Sequence, residues 1–452
     1  MKDKRVFICS SCGARSITWR GQCPTCKEWN TLAETRETKP AKGGLSSRAP
    51  RLISQADPIP VSEIDTEAAT PFSTGLASLD TLLGQGLKPG GALLLGGAPG
   101  IGKSTLLLQL AAMVAKGGGT SVYVSGEEAP SQLKERAERL DALHDSLLAL
   151  ATTRVEDALA VLEQGKADLL IIDSIQTMHS DLSDGLPGSV SQVRASAAQL
   201  IETAKAHSVC LVLVGHVTKD GQIAGPKLLE HMVDTVLSLE GDRRHLYRML
   251  RVLKNRYGPS HELMVFEMAQ EGMKEVDDPS TLFLEARDTS LSGTALVMAV
   301  DGQRPFAVEV QALVSRSYLS IPRRTGLGFD VNRLHLLLAV LEKRLNLDFG
   351  SADVYVKIGG GVRMQDPGLD LGLVAAVLSS LYDRALPEKA VLWGEVDLNG
   401  QVRPVQAQEV RFNQAKRLGF SRIFSPDSDS GGDRVATLAR LGELAFAGPK
   451  TV

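Results

Sequence analysis

The sequence contains no apolar run of about 18 residues, the length a helix needs to cross a bilayer, so no membrane partner is expected. Its opening residues, MKDKRVFICSSC, carry charge but lead into no apolar segment of the secretory type, and the expected location is the cytoplasm. Repeats and low-complexity tracts of note are also missing. Beyond residue 26 only one cysteine occurs, Cys210 within SVCLVLVG, and it reads as a buried strand residue. Strong net charge is lacking too: the chain sums to −3.

That near-neutral total hides an asymmetry. Residues 1–51 hold 11 Lys/Arg against 4 Asp/Glu, so a basic arm precedes an acidic body. Such an arm suits an anionic partner or is a solvated tail. At 452 residues and 43% hydrophobic content, the chain is long enough for two or three globular domains. The divisions expected are 1–30, a compact cysteine-bearing unit; 31–69, a linker rich in Thr, Ser, Pro, Ala and charge; 70–276; and 277–452. From residue 70, continuous apolar runs such as GGALLLGG, ADLLIIDS and SVCLVLVGH alternate with helical patterns. That alternation predicts an α/β domain on a mainly parallel sheet covered on both faces. Past residue 234, VDTVLSLEG, YRMLRVLKNRYG and ELMVFEMAQEGMKEV have short connections and are expected as antiparallel additions at the sheet edge. Residues 277–452 read as an α+β domain.

Cys9, Cys12, Cys23 and Cys26 form C-x2-C-x10-C-x2-C. Each pair suits a tight turn aiming two thiolates at one ion, and together they complete a tetrahedron, so structural Zn²⁺ is expected. A unit this small needs the metal's folding energy. All four positions are filled, which leaves none for a catalytic water.

Gly97, Ala98, Pro99, Gly100, Ile101, Gly102, Lys103, Ser104 and Thr105 spell G-x-x-x-x-G-K-S-T between an apolar strand and a helix. Backbone N–H groups of such a loop close around phosphate oxygens. Lys103 would place a charge on the β- and γ-phosphates of ATP, ADP being the product, and Ser104 offers a hydroxyl to Mg²⁺. Asp173, ending ADLLIID, suits the hold on that Mg²⁺. Glu127 in SGEEA is the expected group that orients the attacking water; Glu128 is the alternative. His216, ending LVLVGH, reads either as a γ-phosphate sensor or as a structural hydrogen-bonder.

The four-cysteine ribbon, GGAPGIGKST, then KNRYG at Lys254, Asn255, Arg256, Tyr257 and Gly258, followed by a long α+β domain, resembles the bacterial RadA (Sms) family of DNA repair proteins. The resemblance runs through essentially the whole chain, with Tyr257 standing where that family usually has Phe. It implies an ATPase core similar to the RecA recombinase and the DnaB helicase motor, and a C-terminal domain similar to the Lon protease's proteolytic domain. It further implies a homo-oligomeric, hexameric ring on single-stranded and branched DNA. Such a ring would process recombination intermediates by helicase-like branch migration during repair of DNA damage, a stress response, alongside the recombinase RecA. In RecA-type motors a neighbouring subunit lends cations to the γ-phosphate. Lys254 and Arg256 alternate on a strand and should point to one side, with Asn255 pointing away. They are expected to act across the seam, with DNA contact the competing role and a solvated edge pair the bland alternative.

Lon-type peptidases use a Ser–Lys dyad. The aligned positions hold Gly368 and Glu409, so no peptidase activity is expected. Arg316, Tyr318, Arg323 and Arg324 in SRSYLSIPRRTG interleave cations with an aromatic, which suits phosphate tracking and base stacking. Lys219 and Lys227, in a polar loop after a core strand, are further DNA-contact candidates. The leading expectation is a DNA-dependent ATPase of homologous recombination. An ATP-dependent protease, a nucleotide-switched scaffold and a homology-searching recombinase are the rivals.

Overall fold

The computed structural model describes residues 70–446 apart from 184, 217–226, 242–245, 261, 281–283, 285–287, 303, 362 and 428–431. In the N-terminal arm it describes residues 5–9, 15–16, 21–22 and 32–36. The chain divides into two units, Met1–Ile64 and Asp65–Val452.

In the first unit, β1 (Arg5–Cys9), β2 (Arg15–Ser16) and β3 (Leu32–Arg36) form an antiparallel sheet in the order β2-β1-β3. Cys9 pairs with Leu32. β3 thus pairs with β1 although it lies past residue 30, the limit expected from cysteine spacing. No spacing rule for thiolates reveals that pairing.

The second unit opens with α1 (Ala77–Leu83), β4 (Ala92–Gly97), α2 (Lys103–Lys116), β5 (Ser121–Ser125), α3 (Pro130–Arg139), β6 (Leu147–Ala151) and α4 (Val155–Glu163). Next come β7 (Leu169–Asp173), α5 (Val190–Ala206), β8 (Cys210–His216), α6 (Lys227–Glu230), β9 (Thr235–Glu240), β10 (Tyr247–Asn255), β11 (Leu263–Ala269) and β12 (Gly272–Val276). Their sheet has the order β12-β11-β10-β9-β4-β8-β7-β5-β6. Side chains alternate across it. Leu93 and Leu95 of β4 face the core under α2, whereas Leu94 joins the opposite core with α5. That double burial is why the central strands read as unbroken apolar runs. Cys210 is fully buried, as expected.

One expectation is corrected here. β9 is not an antiparallel addition: it runs parallel beside β4, and only β10 to β12 turn antiparallel. The helical residues between β8 and β9 supply a crossover, so the parallel block reaches one strand further. β6 lies at the opposite edge, and although its sequence LLALA is wholly apolar, none of its residues is buried.

The remaining elements are β13 (Thr294–Asp301), β14 (Arg304–Arg316), β15 (Arg324–Leu327), α7 (Val331–Leu345), β16 (Ala352–Ile358) and α8 (Leu369–Tyr382). They continue with β17 (Ala390–Leu392), β18 (Glu395–Val396), β19 (Val402–Arg403), α9 (Gln408–Arg417), β20 (Arg422–Ser425), β21 (Asp433–Arg434) and α10 (Leu438–Phe446). Seven strands form a mixed sheet, β15-β16-β14-β13-β17-β20-β21, and α8 is buried against it along most of its length. The boundary near residue 277 is a change of sheet, not a break in packing. Met249, Leu263 and Val265 of β10 and β11 belong to the same core cluster as β13, β14 and α8. Arg251 of β10 also pairs with Asp301 at the end of β13. No helix among the described residues is long and apolar enough to cross a membrane.

Candidate functional site

Gly97 ends β4, and the exposed turn Ala98–Gly100 leads through buried Ile101 into the first turn of α2. Gly102 has φ 115°, and a Cβ there would stand 2.2 Å from the Met273 Sδ-methyl and 2.9 Å from that of Met268. Only glycine fits this turn. Lys103, 5% exposed, donates to the carbonyls of Gly97 (2.8 Å) and Ala98 (3.1 Å). Burial pushes its pKa down, against the opposing pull of Asp173 and Glu127. The ammonium thus waits over its own loop, with two carboxylates close enough to act on it. This loop, its lysine and the α2 N-terminus fit a bound nucleotide's phosphates.

The loop is braced from the antiparallel strands. Arg248 of β10, itself buried, donates from Nε to the Ile101 carbonyl at 3.0 Å. The Gln109 side chain brackets the Met273 backbone, accepting from its N–H at 2.9 Å and donating to its carbonyl at 3.3 Å. The sequence reading missed Arg248, although an arginine inside the apolar strand YRMLRVL was a visible signal.

Asp173 ends β7 beside Ser125 of β5. Tyr123 of β5 donates its hydroxyl to Asp173 Oδ2 at 2.5 Å. Burial, followed by the Asp173 charge, pushes the phenol's pKa well up, against the opposing pull of the adjacent Ser104 side chain. The Gly126 N–H donates to the Asp173 carbonyl (3.0 Å), and Ser125 Oγ accepts from the N–H groups of Glu128 (2.9 Å) and Glu127 (3.4 Å). This turn separates the two glutamates. Glu128 is engaged by Arg136 of α3, whereas Glu127 is exposed, lies 3.5 Å from the Ser174 hydroxyl and acts on Lys103. Ser104, Thr105, Asp173 and Glu127 therefore gather at one end of the sheet with Lys103. If magnesium accompanies the nucleotide, Ser104 and Asp173 are the oxygen donors placed to hold it. His216 ends β8 with its backbone beside Gly97; its side chain lies outside the described residues.

KNRYG sits at the other end of the same sheet. Asn255 pairs with Thr235, the first residue of β9, and Thr235 pairs with Leu93 near the start of β4. The strand stops at Asn255, after a bulge between Val252 and Lys254, so Arg256 lies just past it instead of on it. Both cations nevertheless turn to one side. Lys254 Nζ donates to the carbonyls of Glu230 and Val233, both at 2.7 Å, and Arg256 Nη1 donates to Asp234 Oδ1 at 3.0 Å. Asn255 points elsewhere, donating to the Leu82 and Leu83 carbonyls at the end of α1. Gly258 packs directly on Gly84, which leaves no space for a Cβ.

The centre of this cluster is Asp234, a residue the sequence reading passed over. Its side chain is 3% exposed. It accepts from Arg256 and from the Ala92 N–H at 3.1 Å, and Lys205 Nζ lies 3.9 Å away. Burial and then Asp234 push the Tyr257 pKa up to about 12, and Lys88 Nζ sits 5.0 Å from the Tyr257 ring centroid. Lys254 is shifted down, by burial first and then by the Arg256 charge, against Asp234 and Glu230.

Gly368 immediately precedes α8, and a Cβ on it would stand 2.8 Å from Arg411 Nη1. Arg411, 2% exposed, pairs with Asp366 at 2.7 Å and donates to the Met298 carbonyl at 2.6 Å. A buried ion pair therefore fills the space that a side chain at residue 368 would need. Glu409 is exposed in the first turn of α9. The basic segment divides in two. Arg316, Tyr318 and Arg323 are exposed, with Tyr318 89% exposed and Arg316 5.9 Å from its ring. Arg324 is folded back onto the carbonyls of Phe349 (2.5 Å) and Ala352, a structural role that spacing alone did not reveal. Lys227 opens α6, its side chain outside the described residues, as is Lys219. Of the four N-terminal cysteines only Cys9 has a described backbone; Cys12, Cys23 and Cys26 lie outside the described residues.

Residues 60–222 match the family model of an AAA domain, and residues 7–34 match a rubredoxin metal binding domain. The first places the nucleotide cradle inside a nucleotide-binding domain, and the second spans all four cysteines as a zinc ribbon. The chain is 43% identical to the DNA repair protein RadA of Halalkalibacterium halodurans over 95% of its own length and 94% of the relative's. Identity is 44% to the protein of that name from Brucella abortus, over 94% and 92% of the two chains. It is 42% to that of Bacillus subtilis, over 95% and 94%. Kinship at this level over nearly the full length means that the chain belongs to the RadA family of DNA repair proteins.

Proposed function

We propose that the protein is a DNA-dependent ATPase of recombinational repair whose nucleotide is hydrolysed between copies. The observation that carries this reading is the placement of the two charged ends. Lys103, Asp173 and Glu127 lie at the C-terminal end of the parallel strands, and Lys254 and Arg256 lie at the N-terminal end. Arg256 is held on Asp234 beside Ala92, five residue steps along β4 from Gly97, or about 17 Å at about 3.3 Å per residue. The motif cations are thus too far away to serve the phosphates of their own chain, which favours a second copy's nucleotide as their target.

In this reading Lys103 and the loop amides bind the triphosphate, Ser104 and Asp173 hold Mg²⁺, and Glu127 orients the water. His216 sits beside the γ-phosphate, and Arg256 with Lys254 supplies positive charge from the neighbour. A head-to-tail interface of that kind closes into a ring, proposed as a hexamer. Its channel would take single-stranded DNA, with Lys219, Lys227, Arg316, Tyr318 and Arg323 as contacts, and its task would be branch migration of recombination intermediates beside RecA in the cytoplasm. Cys9, Cys12, Cys23 and Cys26 would hold structural zinc. Residues 277–452 serve assembly and DNA contact as a Lon-like domain without peptidase chemistry, a reading supported by the Arg411–Asp366 pair against Gly368.

The test mixes two inactive proteins. Lys103→Ala lacks the cradle charge, and Arg256→Ala lacks the finger. Randomly mixed rings pair an intact cradle with an intact neighbouring finger at about a quarter of seams, so ATP turnover with single-stranded DNA should rise well above either parent. An absence of recovery would rule out action across a seam. Full hydrolysis by Lys103→Ala would show that the cradle itself is misassigned.

A further inference from the structure

Tyr123 lies in the middle of β5 and is 1% exposed. A phenylalanine would fill the same core volume without the cost of burying a hydroxyl. The hydroxyl is placed between two groups from different elements. It donates to Asp173 Oδ2 at the end of β7, and the Ser104 side chain in the first turn of α2 lies next to it. One phenol therefore holds the carboxylate assigned above to the metal ion and stands beside the hydroxyl. It also leaves Asp173 Oδ1 as the oxygen not held by the phenol.

We infer that Tyr123 is a positioning residue for the divalent cation that accompanies the nucleotide, setting the orientation of Asp173 and its spacing from Ser104 before the ion arrives. This rests on the nucleotide reading of the cradle and deepens it. Groups that hold a metal ligand in place typically contribute about 10- to 100-fold to metal affinity. Tyr123 acts through Asp173, so removing the phenol from a chain that already lacks the carboxylate changes little further.

The experiment uses the full chain and a fluorescent ADP. Binding is first measured in EDTA, then Mg²⁺ is titrated in, and Mn²⁺ spin-resonance spectra are recorded on the nucleotide-bound protein. Tyr123→Phe should keep the nucleotide affinity seen in EDTA while moving the Mg²⁺ midpoint up by about 10- to 100-fold. Asp173→Asn should move it at least as far, and the double variant no further than Asp173→Asn alone. An unchanged Mg²⁺ midpoint in Tyr123→Phe overturns the inference, and so does a loss of nucleotide affinity in EDTA with the midpoint intact, which would mean a packing role only. An unchanged midpoint in Asp173→Asn overturns the metal-site reading beneath it. Failure of the unaltered protein to bind nucleotide in EDTA or Mg²⁺ would sink the cradle itself.

Discussion

Replacing Arg256 with alanine should do two separable things, and the structure shows how to separate them. The first is a loss of stability. Asp234 is a buried carboxylate whose direct ion-pair partner is Arg256, at 3.0 Å. Stripping the partner from a fully buried pair costs about 3–5 kcal/mol. Here the Arg256 side chain is 55% exposed, Lys205 remains at 3.9 Å, and the Ala92 N–H still donates to the carboxylate. Water and these neighbours reduce the cost to about 1–2 kcal/mol. In a domain of this size that lowers Tm by about 2–8 °C. The second effect is catalytic: a missing finger typically slows turnover about 10³-fold or more. Asp234→Asn removes the stranded charge while keeping an acceptor for Ala92. The double variant Arg256→Ala/Asp234→Asn should therefore melt close to the unaltered protein and still hydrolyse ATP slowly. Melting without nucleotide and steady-state ATPase with single-stranded DNA read the two effects independently. If Asp234→Asn restored turnover along with stability, Arg256 would be a structural residue and the finger assignment would fall.

Gly102→Ala should weaken nucleotide binding more than tenfold in a fluorescent-nucleotide titration, because φ 115° and the two methionine methyl groups both resist a Cβ. Arg323→Ala should weaken single-stranded DNA binding and reduce the salt slope by about 1. Arg324→Ala should instead lower stability by about 1–2 kcal/mol, since its guanidinium holds the Phe349 and Ala352 carbonyls; a melting curve together with DNA titration distinguishes the two arginines. Zinc chelation should unfold the arm over residues 5–36 and leave nucleotide affinity in the body unchanged, as followed by circular dichroism and nucleotide titration.

Local chemistry was legible from residue order alone. The phosphate loop reads from GGAPGIGKST because its glycines, lysine and serine act within one turn of chain. The four cysteines read from their spacing, and the apolar runs of β4, β7 and β8 announce a sheet buried on both faces. Asp173 drew notice because it closes an apolar strand, and Glu127 because it follows one. What stayed hidden were contacts between residues far apart in the chain. Tyr123 meets Asp173, Arg248 meets Ile101, Asp234 meets Arg256, and Arg411 fills the space beside Gly368. Arg323 and Arg324 are adjacent and chemically identical, yet one faces solvent and the other caps carbonyls.

The sequence by itself determined which groups exist to bind a triphosphate and a zinc ion, since backbone geometry over a few residues dictates both. Only the tertiary structure decided where KNRYG stands relative to them. The order and direction of the strands put it at the far end of the sheet, and strand order is settled by burial and pairing over the whole domain, beyond the reach of any local pattern.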